Sequence, residues 1–332
     1  DVCSSDLQVE INIYLKGVMN MAVNPFKQLS VMGNVSQKGY VVKDCYRLMY
    51  NKELWKRAHY RIMGTNDDGN NIAEIIANLK HRFDNPLCEY VVRMILSSIF
   101  IPIFSFSSHK NKHDALIAVK KGFKQSTWCI RGNIMDVSAK LNIGVLLRII
   151  DNKIADARFL TLVKNMLKNT HNWMSYAVYT NIYLHMFDIF MENLGVKYVR
   201  HLGEFVIGVK SSKREAFGLK EKVKWFLETE LAFCLADKDI TLTHMQKSIG
   251  FLGYEFIKRK RVTQTGFKAR INLIGLKIPK NELARIVSQK GYGYLDNFFI
   301  KHRPKLLNFP ETTILNIYNN ELKKIAEYYK LA

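Results

Sequence analysis

The fold of this chain is decided by the stretch Tyr198-Val199-Arg200-His201-Leu202-Gly203-Glu204-Phe205-Val206-Ile207-Gly208. Two short apolar runs flank a turn that contains Gly203, a pattern that predicts a tight β-hairpin. The turn carries one carboxylate, that of Glu204. Phosphoryl transfer through two Mg²⁺ ions requires several converging anionic oxygens, so one carboxylate beside a glycine is too few for that chemistry. The hairpin therefore indicates a binding protein more strongly than an enzyme that transfers phosphoryl groups with two Mg²⁺ ions.

The composition of the 332 residues is that of a globular protein with a sizeable core. Hydrophobic residues make up 48% and aromatic residues 12% of the chain, which exceeds what a disordered chain carries. The chain has 18 glycines and 6 prolines, numbers that argue against low-complexity linkers. From length alone, about two domains are expected.

Basic residues dominate the charge of the chain, with 50 lysines and arginines against 29 acidic residues and a formal net charge of +21. A surplus of this size attracts polyanions, of which RNA, DNA and acidic membranes are the candidates, and nucleic acid is favoured. A basic soluble protein or a ribosome-associated chain would share this composition. Charge alone therefore does not separate these classes.

The cysteines lie far apart without any C-x-x-C pair, at Cys3, Cys45, Cys88, Cys129 and Cys234. This spacing favours reduced thiols in a bacterial cytoplasm or an organellar matrix over disulfides or a zinc module. The most apolar stretch, residues 91–106, is interrupted by Arg93 and Pro102 and falls short of the roughly 20 residues of a membrane span. We therefore predict a protein that is neither secreted nor membrane-spanning.

Apolar residues at three- and four-residue spacing predict helices on both sides of the hairpin. The predicted helices cover residues 45–62, 72–83, 87–100, 113–123, 180–194, 211–229, 279–288 and 311–331. Strands are predicted at residues 128–134 and 249–257, and the basic run Lys258-Arg259-Lys260-Arg261 follows the second of them. The fold class predicted from these elements is α+β.

Seven segments between residues 44 and 332 match, in order, the motifs of one family. Residues 45–51 are similar to its LYRLLYN segment, 128–134 to F-x-E-G-D-I, 181–188 to ANIYLHxLD, 200–208 to RYADDFVIG, 238–244 to EKTxIT, 251–254 to FLGY, and 310–332 to I-x-x-Y-N-x-x-L-x-G-I-x-x-Y-Y. Together they resemble the group II intron reverse transcriptase/maturase family. A generic helix or strand would rarely reproduce this ordered set.

The resemblance implies a right-hand polymerase-like fold, in which fingers and a palm with a small antiparallel sheet packed with helices precede an α-helical thumb and maturase domain. The implied divisions are an N-terminal segment at 1–43, a fingers-like helical region at 44–125, a palm-like reverse-transcriptase domain at 126–257, and a thumb and domain X-like helical domain at 258–332. Residues 1–7 match neither a signal peptide nor a transit peptide, and we interpret them as a cloning or sequencing artefact.

The chain departs from the family at the positions that carry polymerase catalysis. Asn133 stands where the family has its first catalytic aspartate, and Gly203 and Glu204 occupy the two aspartate positions of the YADD turn. About two of the three formal charges that would hold two Mg²⁺ ions are thereby lost. We predict that no catalytic set is intact. Lys238 falls where the family has an active-site lysine; a remnant of that lysine is one interpretation, and a solvated surface lysine is the favoured alternative. No cofactor is expected, with Mg²⁺ required only if the polymerase site functions.

Two other groupings could bind a cation. His109 and His113 would face each other on a helix, but no third ligand is near, so a structural or backbone-contacting role is favoured. Glu204 and Asp188 could hold a single cation, but isolated carboxylates are more often solvated. No metal is assigned.

The C-terminal basic residues predict an RNA-binding surface, because lysine and arginine neutralise phosphates and tyrosine rings stack on unpaired bases. The predicted residues are Lys258, Arg259, Lys260, Arg261, Lys268, Arg270, Lys277, Lys280, Lys301, Arg303, Lys305, Lys323, Lys324, Tyr328 and Tyr329. Tyr292 and Tyr294 offer further rings. A solvated face is the alternative for each basic residue, and core packing is the alternative for each tyrosine.

The resemblance and the departures together predict a maturase-like protein that binds a structured RNA, expected to be a group II intron, and assists its folding and splicing. The chemistry of splicing would belong to the RNA. Two alternatives stay open. One is a reverse transcriptase with residual activity whose carboxylates come from other positions, such as Asp136 or Asp188, and the other is a structural RNA-binding relic.

Overall fold

The structure is a computed structural model that describes residues 24–64, 71–77, 85–101, 111–134, 141–169, 176–233, 235–262 and 270–332. In chain order, the helices of these residues are α1 Pro25–Gln37, α2 Cys45–Leu48, α3 Lys52–Met63, α4 Asn71–Ala77, α5 Pro86–Phe100, α6 Lys112–Gly122, α7 Ile143–Asp151, α8 Ala157–Asn169, α9 Tyr176–Asn193, α10 Lys213–Thr229, α11 Lys280–Gln289 and α12 Glu311–Tyr328. The strands are β1 Trp128–Asn133, β2 Lys197–His201, β3 Glu204–Val209, β4 Ile240–His244, β5 Ile249–Phe251, β6 Tyr254–Val262, β7 Arg270–Lys277, β8 Gly293–Tyr294 and β9 Phe299–Ile300. The predicted α+β class is confirmed.

The chain divides into two compact units, Asp1–Ser105 with Asp136–Ile189 and Phe106–Met135 with Phe190–Ala332. Helix α6 belongs to the second unit, although its position in the sequence lies in the predicted fingers-like region. The boundary predicted at residue 258 falls within β6. The assignment of these segments to fingers, palm and thumb stays a prediction.

Helix α5 is the central helix of the first unit, and α1 and α3 pack against it. Its N-terminus is fixed by Asn85, whose side chain accepts the backbone N–H of Leu87 at 2.8 Å. The single helix predicted at 45–62 is wrong, since the chain forms α2 and α3 with a break between them. The break arises because Asn51 caps α3 through the N–H of Glu53, at 3.0 Å.

The second unit contains a four-stranded antiparallel sheet in the order β2-β3-β1-β4. The predicted hairpin is confirmed as β2–β3, and the predicted strand at 128–134 is confirmed as β1 at the centre of the sheet. Helix α10 follows the hairpin and begins with a capping box between Ser212 and Glu215. Its bounds agree with the helix predicted at 211–229.

A second antiparallel sheet of the same unit has the order β5-β6-β7. The single strand predicted at 249–257 is wrong, because Leu252 and Gly253 form a two-residue turn with φ of +52° and +78° and the chain reverses there. The basic run 258–261 lies within β6, opposite β7. The region from 258 onward, predicted as a helical domain, contains strands β7, β8 and β9 as well as helices α11 and α12.

Helix α6 packs on this second sheet and forms one core with it. The cluster includes Leu116 and Val119 of α6, Phe256 of β6, and Tyr329 after the last helix. No helix among the residues that the structure describes is long and apolar enough to cross a membrane.

Candidate nucleic-acid interface

The positions that the sequence motifs predict to correspond to polymerase aspartates lie together at one end of the β1–β3 pair. Asn133 is the antiparallel partner of Glu204, and the backbone carbonyl of Gly203 accepts the N–H of Ile134 at 3.0 Å. The backbone N–H of Asn133 donates to the carbonyl of Asp239 at 2.9 Å. The fold therefore brings together the residues that the sequence motifs group.

The carboxylate of Glu204 is used within the protein. Its Oε2 atom accepts the backbone N–H of Leu252, in the β5–β6 turn, at 3.2 Å. Beneath the β2–β3 turn, Arg200 is fully buried, and its Nη1 atom donates to the carbonyl of Leu202 at 2.9 Å. Both contacts fix the turn, which is where the one carboxylate of the hairpin is found.

No group of three or more histidine, cysteine, aspartate or glutamate side chains that could hold a metal ion occurs within the described ranges. Asp188 is buried in the first unit, and Lys238 is exposed just before β4. Asp136 and His109 lie outside the described residues. His113 is described, and its Nε2 atom lies 3.0 Å from the backbone carbonyl of Tyr328, which is the backbone-contacting role that the sequence favours.

Three of the predicted RNA-binding cations have partners inside the protein. The ammonium group of Lys258 donates to the carbonyl of Ser126 at 2.8 Å. Lys277 forms an ion pair of 2.9 Å with Glu255. Arg303 forms an ion pair of 2.9 Å with Glu321. These three side chains therefore have structural contacts that would compete with a phosphate.

Arg303 and Glu321 are the centre of a network in the C-terminal region. Arg303 donates to Glu321 at 2.9 and 3.2 Å, and Tyr292 donates its O–H to the same carboxylate at 2.8 Å. Burial raises the pKa of Tyr292 to about 12, with the hydrogen bond to Glu321 contributing. Tyr292 and Arg303 therefore stabilise the fold of the C-terminal region through their hydrogen bonds to Glu321.

The other predicted cations lie on the surface where the structure describes them. The exposed side chains are those of Arg259, Lys280, Lys301, Lys305, Lys323 and Lys324. Lys268 lies outside the described residues, as do the side chains of Lys260, Arg261 and Arg270. The second unit thus presents a set of cations that are accessible to a polyanion.

The predicted tyrosines differ in accessibility. Tyr329 is only 6% exposed and packs against Tyr254 at 5.2 Å between ring centroids, so its prediction as a stacking residue is corrected to a core residue. Tyr328 is partly exposed, with the ammonium group of Lys112 over its ring. Sequence reasoning missed the exposed Phe298 and Phe299, for which the signal would have been an aromatic pair within a polar, basic stretch.

A cavity of about 550 Å³ opens on the first unit, between the segment that resembles the LYRLLYN motif and helix α8. Tyr46 and Tyr50 form one wall with their rings in a T-shaped, edge-to-face arrangement, and Arg158 lies over the ring of Tyr46 at 5.4 Å. Asp156 holds the wall in place, because its carboxylate accepts the backbone N–H of Tyr46 at 2.7 Å. No pattern in the sequence predicts this cavity.

Comparison with known proteins gives matches that agree with the motifs. The chain is 25% identical to the group II intron-encoded protein LtrA of Lactococcus lactis subsp. cremoris, over 75% of this chain and 57% of that relative. It is 30% identical, over 32% of its length, to part of an uncharacterized 91 kDa protein in the cob intron of Schizosaccharomyces pombe. It is 28% identical, also over 32% of its length, to part of the uncharacterized mitochondrial protein ymf11 of Marchantia polymorpha. No protein-family model matches the chain.

The fold and the site define a basic α+β protein with an antiparallel sheet around a tight hairpin, a construction compatible with a reverse transcriptase. The matches identify the chain as a relative of the group II intron-encoded proteins, as the ordered motifs predict. The chain spans 57% of the length of the Lactococcus relative.

Proposed function

We propose that the protein is a maturase-type RNA-binding protein that stabilises the folded form of a group II intron RNA and so assists its splicing. The observation that carries the proposal is the set of exposed cations on the second unit, in a relative of group II intron-encoded proteins. Compaction of an RNA is opposed by phosphate repulsion, and bound lysine and arginine side chains reduce that repulsion. The setting would be a bacterial cytoplasm or an organellar matrix.

We further propose that polymerase chemistry has been lost. Asn133 and Gly203 provide no carboxylate. The carboxylate of Glu204 already accepts a hydrogen bond from the backbone N–H of Leu252. Two Mg²⁺ ions in this place would lack the anionic ligands that neutralise them. The support for this part is the identity of the side chains at the end of the β1–β3 pair.

Salt-dependent binding tests the RNA-binding proposal. The purified protein would be titrated into a labelled group II intron RNA and into an unrelated structured RNA, between about 50 and 200 mM salt. Each phosphate contact steepens the dependence of log affinity on log salt by roughly 0.7 to 0.9. A steep negative slope and tighter binding of the intron RNA are expected. A flat response to salt would contradict the proposal.

Primer extension tests the loss of polymerase activity against the alternative of a residual reverse transcriptase. The assay would use an annealed RNA template and DNA primer with Mg²⁺ or Mn²⁺. No extension is expected from the unchanged protein. Extension that disappears in Asp136→Ala or Glu204→Ala would establish the alternative and refute this part of the proposal, while leaving RNA binding intact as a separate result.

A further inference from the structure

The β8–β9 hairpin contains two residues with positive φ, Gly293 and Phe298. Its Gly293 has φ of +138°, and a Cβ atom there would lie 1.8 Å from the carbonyl oxygen of Phe299. At the other end of the loop, Phe298 has φ of +52°, in the left-handed region that glycine and asparagine normally occupy. A phenylalanine is an unfavourable choice at such a position. Glycine at this position would adopt the same φ at a lower cost.

The side chains of the hairpin are presented to solvent. Phe298 is 84% exposed and Ile300 is 86% exposed, while Phe299 lies next to them and is also exposed. Phe299 and Tyr294 are cross-strand partners whose rings stack, with centroids 6.2 Å apart and an interplanar angle of 28°. A contiguous exposed apolar surface of this kind usually marks a binding site. The hairpin therefore has rings that are available to a ligand.

The charges around the hairpin indicate which ligand it binds. Lys301 and His302 follow Ile300 directly, and Lys305 lies three residues further on, all three exposed. Asp296, in the loop, is an acidic residue among them. Rings interleaved with cations are the chemistry that binds unpaired bases and their phosphates. The combination favours single-stranded RNA.

We propose that the β8–β9 hairpin is a stacking platform for unpaired RNA bases. Phe298 and the Tyr294–Phe299 pair present their rings to the bases, and Lys301 and Lys305 contact the adjacent phosphates. The inference rests on the proposed function, since it names the part of the protein that binds unpaired RNA. It assigns a role to Phe298 and Phe299 beyond the cations of the predicted surface.

The test uses the full chain with Phe298→Gly, because glycine adopts the same φ without strain and the variant should fold at least as well. Affinity would be measured by fluorescence with a short single-stranded RNA that contains 2-aminopurine, and with a duplex of the same sequence. Affinity for the single strand is expected to fall roughly five- to a hundredfold, with loss of 2-aminopurine quenching. Affinity for the duplex is expected to stay unchanged.

Three further variants separate ring stacking from simple apolar contact. Phe298→Trp should retain the affinity, and Phe298→Leu should lose it, because leucine keeps the apolar surface and removes the ring. Trp225→Ala removes a ring of α10 that is 57% exposed and should have no effect. Equal binding by Phe298→Leu and the unchanged protein would overturn the inference. So would a dimer of the unchanged protein, seen by light scattering, that dissociates in Phe298→Gly.

The outcomes distinguish the inference from the proposed function. If the unchanged protein binds RNA and Phe298→Gly binds the single strand equally well, the inference alone is overturned. If the unchanged protein binds neither the labelled group II intron RNA nor the short single strand, the proposed function fails, and the inference fails with it.

Discussion

The carboxylate of Glu204 accepts a hydrogen bond from the backbone N–H of Leu252, with 3.2 Å between Oε2 and N. This contact joins the turn of the β2–β3 hairpin to the turn of the β5–β6 hairpin. The sequence motifs predict that Glu204 stands at the position of a metal-binding aspartate of the family. The longer glutamate side chain therefore has a structural role here, and its removal should be felt in stability.

Glu204→Ala is expected to lower the free energy of unfolding by about 1 kcal/mol, because it leaves the N–H of Leu252 without this acceptor. Urea denaturation followed by circular dichroism measures the change. Glu204→Gln keeps an acceptor oxygen at the same distance and should cost less. An alanine variant as stable as the unchanged protein would show that the contact contributes nothing.

Gly132 is a position of β1 where only glycine fits. A Cβ atom there would lie 2.0 Å from Cζ of Phe205, its cross-strand partner on β3, and Phe205 is fully buried. Gly132→Ala is therefore expected to cost about 1 to 3 kcal/mol, since the ring cannot move without disturbing the core. Thermal unfolding followed by circular dichroism checks this.

The matched control for Gly132 is Gly218, on α10, where a Cβ atom would meet nothing within 4 Å. Gly218→Ala should raise stability by up to about 1 kcal/mol through helix propensity. Adding Phe205→Leu to Gly132→Ala should recover part of the loss. If both alanine variants behave alike, the clash between Gly132 and Phe205 is not the cause.

The end of α12 is anchored by a hydroxyl group. Tyr254 donates its O–H to the backbone carbonyl of Tyr328 at 2.6 Å. Tyr254→Phe is expected to destabilise the protein by about 1 kcal/mol and to increase hydrogen exchange in the last turn of α12. Tyr60→Phe, at an exposed tyrosine of α3, is the control and should change neither quantity. If hydrogen exchange in the last turn of α12 is the same in Tyr254→Phe as in Tyr60→Phe, the anchoring role is contradicted.

Local signals in the sequence were sufficient for the elements that end in clear caps. Helix α10 begins at the capping box of Ser212 and Glu215, and α9 ends before Gly195, whose φ is +64°. The β2–β3 hairpin follows from its apolar runs and short turn. In each case the deciding contacts lie within a few residues of one another, so the sequence pattern contains them.

Other elements depend on features that local pattern does not show. The β5–β6 turn uses Leu252 at φ +52°, where an asparagine would have been the recognisable signal. The sequence pattern predicts a strand neither at the basic part of β6 nor at β7. Both form because the two segments pair with each other. At the candidate site, the partner of Lys258 is Ser126, 132 residues away. Contacts of such separation decide which lysines stay available to RNA.

Lys323 and Lys324 are adjacent exposed cations of α12, and they provide a direct test of phosphate contacts. The double change Lys323→Ala with Lys324→Ala should make the salt dependence of RNA binding shallower, by roughly 0.7 to 0.9 for each lysine that contacts a phosphate. The charge-matched control is Lys222→Ala with Lys247→Ala, at exposed lysines of the same unit. Equal slopes in the two double variants would remove α12 from the RNA-binding surface.

Glu321 is expected to contribute to the loss of stability of the protein at acid pH. Burial raises the pKa of Glu321, but hydrogen bonds from Arg303 and Tyr292 outweigh that effect and hold the pKa below its usual value of 4.5. Since the pKa is lower in the folded protein than in the unfolded chain, the carboxylate stabilises the fold fully above about pH 4.5. That contribution is lost as the pH falls through the folded-state pKa.

Glu321→Gln is therefore expected to lower the free energy of unfolding by about 1 to 2 kcal/mol at neutral pH, because the charged partner of Arg303 is lost. The loss should shrink as the pH falls below about 4.5, where the unchanged protein also loses the carboxylate charge. Urea denaturation at a series of pH values measures this convergence. Glu327→Gln, at an exposed glutamate of the same helix, is the control and should leave the acid dependence unchanged. Stability curves for Glu321→Gln that run parallel to those of the unchanged protein would contradict the assigned role, since a constant offset reflects packing and not the ionised carboxylate.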